Sequence, residues 1–476
     1  METKETAHIK ETLERILDHE KLRYCFDCGI CTASCSMSEI LGKAYNPRVL
    51  LERLVLNPDN ALTSDELWMC AWCYRCQERC PQALALPEIF LMMRTLSAKQ
   101  GQIQAFDSAL NKIVDSIPLP LVALSVCFHP ERAGLNKQLI LDKAERMRAA
   151  KIASRKSKSA SRSQKVAVIG SGPAGLTVAY ELSSRGYDVT VFESLREPGG
   201  MLRKCIPESR LTKQVLAREI QYLKDLGTSF KTSITIGKDM SFEELSGKDY
   251  KAVFIGVGAH KSTRLRIDGV DLPEVVHALD FLWKINSGER VTAGKNAVVI
   301  GGGNVAMDAA RGALRLGASG VTIIYRRSRE EIPAIPWEIK EAEDEGVKIQ
   351  YLVSPKRIVG ENGRVSAIEC IRTQLGEPDE TGRRAPIPVE GSDFSLKTDM
   401  VIMAVGETPD LGFLPHGAEI SDNGTLCVNP VSMETNIRGV FGGGDVVTGP
   451  ATVIEAIRAG MNAAVSIEGY LKSLEG

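Results

Sequence analysis

The sequence has no net charge to speak of. Its 59 Lys and Arg against 60 Asp and Glu leave −1 at neutral pH. A chain without a basic excess is a poor match for nucleic acid. It also lacks any apolar run of about 18 residues, the length a membrane-spanning helix needs. The longest apolar stretch, around Pro118–Phe128, is shorter and is interrupted by Pro120. Met1–Glu14 is charged and polar with no apolar centre, so no secretory signal is expected there. Neither G-x-S-x-G nor H-E-x-x-H occurs, so the two commonest hydrolase signatures are missing.

Cysteine is present but unevenly placed. Of 12 cysteines, eight fall between Cys25 and Cys80. Clustering of this kind, without a signal for export, predicts metal ligation in a reducing cytoplasm rather than disulfides. The first run is Cys25-x2-Cys28-x2-Cys31-x3-Cys35, and the second is Cys70-x2-Cys73-x2-Cys76-x3-Cys80 followed by Pro81. This spacing is the ferredoxin pattern for a four-iron cluster, in which the fourth cysteine of a run ligates the other cluster. The expected sets are Cys25, Cys28, Cys31 and Cys80 for one [4Fe-4S] cluster, and Cys70, Cys73, Cys76 and Cys35 for the second. Pairing within each run is the alternative. Zinc also uses closely spaced cysteines, but typically two pairs rather than two quartets. The other four, Cys127, Cys205, Cys370 and Cys427, have no partner in pattern and read as core.

About three domains are expected for 476 residues. Residues 1–150 read as a helical iron–sulfur domain, with an amphipathic helix over Glu11–Leu22 and further helices over Arg48–Leu56 and Pro87–Ser97. Residues 151–164 hold five basic residues, five serines and no acid, and read as a solvated linker. From Lys165 short apolar strands alternate with helical patterns: VAVIG, VTVFE, AVFIGVG, NAVVIGGG, VTIIYRR and MVIMAVG. That alternation predicts parallel α/β sheets of the Rossmann kind.

Two of these strands run into glycine-rich turns. In Val166–Gly175, Gly170 permits the tight turn, Gly172 lets a pyrophosphate approach, and Gly175 lets helix pack on strand. Pro173 and Ala174 begin the helix, whose N-terminus favours an anion. The next strand ends in Glu193, where a ribose-binding carboxylate belongs. The second turn, Gly301, Gly303, Asn304, Val305 and Ala306, is followed by a strand ending in Arg326 and Arg327. Arginine in place of an acid accommodates a 2′-phosphate and predicts NADP(H) over NAD(H). The alternative is a pair of solvated strand-end charges.

Longer stretches carry resemblances to families. CFDCGICTASC, YNPRVLLERL and LWMCAWCYRCQERCP resemble the C subunit of heterodisulfide reductases, which implies a helical one-electron carrier with two clusters. EPGGMLRKCIPESRL, YRRSREEIPA, PIPVEGSDF and FGGGDVVTGPATVIEAIRAGMNAA resemble the glutamate synthase small subunit. They equally resemble the large subunit of NADH-dependent ferredoxin:NADP oxidoreductase, a flavin-bifurcating transhydrogenase. The resemblance implies FAD held by Gly170, Gly172, Pro173, Ala174, Gly175, Glu193, Gly200, Met201, Gly444, Asp445, Thr452 and Val453. Asp445 would bind the ribityl chain, and the helix after Thr452 would face the pyrimidine edge. It also implies a discontinuous FAD domain, 165–285 and 396–476, with an NADP(H) domain, 286–395, inserted.

The expected activity is exchange of hydride between NADP(H) and FAD, and of single electrons through two clusters with a partner subunit. The partner is ferredoxin- or NAD-linked, as in a bifurcating transhydrogenase complex. Alternatives are the electron-donating small subunit of an NADPH glutamate synthase, serving an amidotransferase, and a scaffold with inactive nucleotide folds. No side chain is expected to act as a catalytic acid or base, since the cofactors carry the chemistry.

Overall fold

The computed structural model describes residues 25, 28–156, 162–246, 248–379 and 382–475. They group into two units. One takes the chain through Gly200, with Arg210–Gly258 and Leu411–Gly476. The other takes Met201–Ser209 and Ala259–Asp410.

The first unit opens with helices and cysteine turns. Pro47–Leu56 is capped by Asn46, whose side-chain oxygen accepts from the N–H groups of Arg48 and Val49, and proline fills its first turn. Short helix Arg75–Glu78 (α1) lies inside the second cysteine run, and Leu86–Lys99 (α2) follows it. Pro120–Val126 is buried at every position, and Lys137–Lys156 (α3) is the module's last helix. Pro120 therefore opens a helix rather than interrupting one, since a first-turn position needs no N–H donor.

The sheet of this unit is all parallel. Lys165–Ile169 (β1), Asp188–Phe192 (β2), Ser229–Lys231 (β3) and Tyr250–Ile255 (β4) are joined by Val440–Gly442, in the order Val440–Gly442, β4, β1, β2, β3. After Lys165 every β1 side chain is buried, as a strand covered on both faces requires. Pro173–Ser184 (α4), Lys213–Asp225 (α5) and Val453–Ser473 (α6) pack around it. Gly460 allows α6 close to α4: a Cβ there would meet the Ala174 carbonyl oxygen at 2.6 Å.

A buried ion pair welds the helical module to this sheet domain. Arg148 on α3 and Glu219 on α5 are both 0% exposed and stand 3.4 Å apart. The Arg148 guanidinium lies 4.2 Å from the Tyr180 ring centroid on α4 and donates to the Pro118 carbonyl. The other Glu219 oxygen accepts from the Leu121 N–H at 2.7 Å. Burial raises the Glu219 carboxyl above its ordinary range even against Arg148.

In the second unit, Val275–His277 (β5), Asn296–Ile300 (β6), Gly320–Tyr325 (β7), Lys348–Tyr351 (β8) and Met400–Met403 (β9) form another parallel sheet, in the order β5, β9, β6, β7, β8. Antiparallel strands Val353–Glu361, Arg364–Pro378, Arg384–Pro388 and Phe394–Lys397 form an adjoining sheet.

Two expectations change, and a third is untested. The inserted unit is wider than 286–395, because β5 and β9 belong to its sheet and Lys261–Ser262 pairs with Glu407–Thr408. The segment 151–164 is not linker throughout: α3 continues to Lys156, since Ile152 is buried and carries the helix past the change in composition. The expected helix over Glu11–Leu22 lies outside the described residues.

Removing one member of the buried pair strands the other. Arg148→Met should cost about 3–5 kcal/mol in denaturant unfolding of the purified chain. Arg148→Met with Glu219→Leu should recover most of that loss; a double variant as unstable as the single would show that the pair is not the weld.

Candidate functional site

The two cysteine runs fold as related turns. Gly29 (φ 66°, ψ 0°) and Tyr74 (φ 62°, ψ 0°) hold equivalent places, each leading a one-turn helix that carries Cys31 or Cys76. Glycine adopts that left-handed conformation freely; a tyrosine does so only when its surroundings enforce it. Tyr74 is 2% exposed and its hydroxyl donates to Glu88 on α2. Backbone N–H groups point at sulfur in the second run, Trp72 at Cys70 and Leu84 at Cys80, both at 3.4 Å.

The thiols gather across the runs. Cys25 is pushed up to about 11, first by burial and then by Cys31, Cys80 and Cys28 beside it. Cys31 is raised by burial, with Cys80 and Cys28 again adding to it. Cys35 lies with Cys70, and Cys73 and Cys76 are raised by burial and then by Cys70 and Cys35 among their neighbours. Cys80 is thus an electrostatic neighbour of Cys25 and Cys31, and Cys35 of Cys70, Cys73 and Cys76; Cys76 also feels Cys31. Among the described residues no three His, Cys, Asp or Glu side chains converge as a single ion requires. Two wider groups of mutually repelling thiols suit a multi-iron body, whose positive charge would hold them as thiolates.

The turn after β1 is a tight cradle. A Cβ at Gly170 (φ 97°) would lie 2.5 Å from the Gly256 carbonyl oxygen, and one at Gly175 would lie 2.0 Å from that of Gly170. Gly172 faces open space, with nothing nearer than 4.0 Å, and the N-terminus of α4 has no side-chain cap. Proline at its first turn and open N–H groups make an anion seat. Gly200 crosses close to Gly172, and Gly444 to Ala174.

Glu193, at the end of β2, is 5% exposed and thoroughly engaged. One oxygen accepts from the Ser171 N–H at 3.1 Å and from its hydroxyl; the other accepts from Leu195 N–H at 2.8 Å and Ser194 Oγ at 3.2 Å. Asp445 begins the short helix Asp445–Thr448. Thr452 caps α6 through a reciprocal box with Glu455, and Val453 is its first helical residue.

That box joins the cysteine turns. Arg75 Nε on α1 donates to Glu455 Oε1 at 2.5 Å, while Glu455 Oε2 accepts from the Thr452 N–H at 3.1 Å and Oγ1 at 2.7 Å. Burial alone would raise the Glu455 carboxyl, but the Thr452 bonds and Arg75 hold it below its ordinary range. Cys127, pushed up to about 12 by burial, lies against the Ile454 N–H. A second tie runs from Glu39 to Arg458 at 2.6 Å and Asn462 at 2.5 Å. The sequence reading did not single out Arg75 or Glu455, although Thr452-x-x-Glu455 is itself a capping-box signature.

The second unit carries the other glycine turn. A Cβ at Gly301 would lie 2.0 Å from the Ala404 carbonyl oxygen, while Gly303 opens to space before the uncapped helix Asn304–Arg315. Asn304 Oδ1 accepts from the Ile335 N–H at 2.9 Å, Val305 is half-buried and Ala306 fully buried. Arg326 and Arg327 part company. Arg327 is 2% exposed, pairs with Asp379 and donates to the Arg384 carbonyl at 2.7 Å; Arg326 is exposed. Met201 also lies in this unit, its sulfur accepting from Cys205 at 3.3 Å. Burial pushes the Cys205 thiol up to about 12, which makes it a core thiol and a poor nucleophile.

Residues 164–460 match the model for pyridine nucleotide-disulphide oxidoreductases. The chain belongs to that family. Residues 21–84 match a 4Fe-4S dicluster domain, so this oxidoreductase fold follows an iron–sulfur domain. A relative from Moorella thermoacetica, the beta subunit of an NADP(+)-dependent formate dehydrogenase, is 46% identical over 65% of this chain and 44% of its own. The beta subunit of a Geobacter sulfurreducens NADPH-Fe(3+) oxidoreductase is 36% identical over 83% of this chain and 63% of its own. The chain thus spans about half to two-thirds of the length of these relatives. The small chain of Azospirillum brasilense glutamate synthase is 38% identical over 65% of this chain and 67% of its own, which bears out that resemblance. Mycobacterium tuberculosis FprA in complex with NADPH shares the fold, with a TM-score of 0.57 at 24% identity over 66% of this chain and 86% of its own. Among the described residues no helix is long and apolar enough to cross a membrane.

Loss of Arg75 leaves Glu455 buried with only Thr452. Arg75→Ala should destabilise the chain by about 2 kcal/mol, the worth of a charge-assisted bond. Because Glu455 is held below its ordinary range, this stabilisation is present at neutral pH and lost as pH falls through the lowered value. The gap between Arg75→Ala and the unaltered chain in denaturant midpoint should close on acidification; a constant gap would show that the pair carries no such weight.

Proposed function

We propose that the chain is an NADP(H)-dependent FAD iron–sulfur subunit of a larger redox complex. The observation that carries this reading is the Arg75–Glu455 junction. It sets the turn bearing Cys73 and Cys76 against the start of α6, directly after the Gly444–Asp445 segment. An electron-carrying module and a nucleotide cradle share one compact unit.

FAD fits the first cradle. Gly170, Gly172 and Gly175 leave room for backbone to approach the pyrophosphate, Pro173 and Ala174 begin the helix that faces it, and Glu193 receives the ribose beside Ser194. Gly200 crosses close to Gly172 and Gly444 to Ala174; Met201 and Asp445 are the residues that follow these glycines in sequence, and Thr452 and Val453 open α6. Two [4Fe-4S] clusters fit the thiol groups, one on Cys25, Cys28, Cys31 and Cys80 and the other on Cys70, Cys73, Cys76 and Cys35. When bound, the flavin supplies two-electron and one-electron chemistry together, and the clusters supply single-electron transfer.

The residues do the rest. Gly303 admits the NADP(H) pyrophosphate and exposed Arg326 takes the 2′-phosphate, while Arg327 holds the neighbouring hairpin through Asp379. Cys73 of the second thiol group has Glu455 of α6 as an electrostatic neighbour, so a cluster held there would be the one placed to exchange single electrons with a bound flavin. The first group, with exposed Cys28, faces the partner. The names of the relatives, beta subunits of a formate dehydrogenase and of an NADPH-Fe(3+) oxidoreductase, support a place in a complex of that kind; the cytoplasm remains the compartment expected from the sequence. The likeness to the NADPH-Fe(3+) oxidoreductase subunit extends over 83% of the chain, against 65% for the glutamate synthase small chain, which favours this reading. The glutamate synthase likeness spans only 65% of the chain but supports that second reading.

Anaerobically purified protein should contain flavin and about eight irons per chain, two four-iron clusters. NADPH should bleach the flavin spectrum well ahead of NADH. Arg326→Ala should weaken NADPH by roughly thirtyfold, about 2 kcal/mol for one charge-assisted contact, and leave NADH unchanged. Equal weakening of both would take Arg326 out of the 2′-phosphate site. Purification from the native host with its companions identified separates the partners: an amidotransferase chain would select the glutamate synthase reading.

A further inference from the structure

Beside the second thiol group one cation is buried with no carboxylate paired to it among the described residues. Arg94, on α2, is 4% exposed. Its Nε donates to the Leu67 carbonyl at 2.8 Å, Nη2 to the Cys70 carbonyl at 2.7 Å and Nη1 to the Phe128 carbonyl at 3.3 Å. The guanidinium lies 5.8 Å from the Trp68 ring centroid. Among the described residues the acidic groups that act on it are the Cys70 thiol and the Tyr45 hydroxyl. Tyr45 is itself 1% exposed, beside Cys70, Cys35 and Cys76 as well as Arg94.

Carbonyl dipoles satisfy the N–H groups of a guanidinium but do not neutralise it. A buried charge without a counter-charge costs several kcal/mol. The arrangement makes sense when the space beside Cys70 holds an anion. Four thiolates around a four-iron core carry net negative charge in either oxidation state, and more after reduction.

We propose that Arg94 is the buried counter-charge of the cluster held by Cys70, Cys73, Cys76 and Cys35, and that it raises the reduction potential of that cluster. The inference rests on the two-cluster reading above. Reduction adds one electron to the cluster and breaks no bond. A fixed positive charge in a low-dielectric surrounding favours the more negative form. Arg94 acts through the cluster, as a tuning and positioning residue, and is not catalytic.

A merely structural Arg94, tying Leu67, Cys70 and Phe128 together, needs donors but not charge. Glutamine keeps donors without charge; lysine keeps charge. The test is a potentiometric titration of the anaerobically purified full chain, followed by electron paramagnetic resonance, with iron determined for each variant. Unaltered protein should show two one-electron waves; one wave or none would sink the two-cluster reading itself. In Arg94→Gln with full iron, one wave should move negative by at least tenfold in the redox ratio, 59 mV for one electron, while the other stays. Arg94→Lys should stay within threefold of the unaltered protein. An unmoved wave in Arg94→Gln, or a lysine variant displaced as far as glutamine, would overturn the proposal. If Arg94→Gln holds no iron, Arg94→Lys decides: a wave displaced beyond threefold overturns it, and one within threefold supports it.

Discussion

If each cluster takes its fourth cysteine from the other run, as proposed, neither thiol group can be completed from its own run. Cys80 is then needed beside Cys25 and Cys31, and Cys35 beside Cys70, so everything between Cys25 and Cys80 would have to close together. That crossing is the constraint on which the iron–sulfur domain would depend. The two runs share equivalent turns at Gly29 and Tyr74, the second a buried tyrosine in a left-handed conformation whose hydroxyl donates to Glu88. Buried thiols raised by burial and by one another resist ionisation. Bound iron would hold them as thiolates, and its binding would then be coupled to closure of this domain.

The parts legible in sequence were those whose determinants are local. Cysteine spacing, glycine turns and apolar strands are short-range patterns, and β1, β2, β4, β6, β7 and β9 fall where VAVIG and its counterparts place them. The edges of the inserted unit were not legible, because β5 and β9 are neighbours in the sheet yet far apart in the chain. Helix Pro120–Val126 was hidden for a related reason. Its apolar run is buried because α3 and α5 bring Arg148 and Glu219 around it, and nothing within Pro118–Phe128 announces those partners.

The two arginines after β7 show how backbone geometry divides a motif. Consecutive residues leaving an extended strand point to opposite sides. Arg327 is turned inward, where burial demands the Asp379 carboxylate and the Arg384 carbonyl. Arg326 is left outward at the strand end. A pair in sequence is thus one structural ion pair and one exposed cation, and it is the second that the proposed 2′-phosphate contact uses. Glu193 illustrates the same economy: of about four acceptor directions, three hold Ser171 and the Leu195 N–H, and the fourth holds the rotatable Ser194 hydroxyl, the partner most readily exchanged.

Helix α6 is where the domains of the first unit meet, and its N-terminus carries conflicting charges. A helix N-terminus is partially positive, which suits an electron-rich ligand. Glu455 in the capping box cancels much of that field, and is drawn there by two donors from Thr452. Arg75 restores it, because its guanidinium bonds the same carboxylate from the cysteine turn. The net charge at the start of α6 therefore depends on a residue lying between two cluster thiols. Docking of the iron–sulfur turn and polarity of the nucleotide-side helix end are set by the same contact, so neither can change without the other.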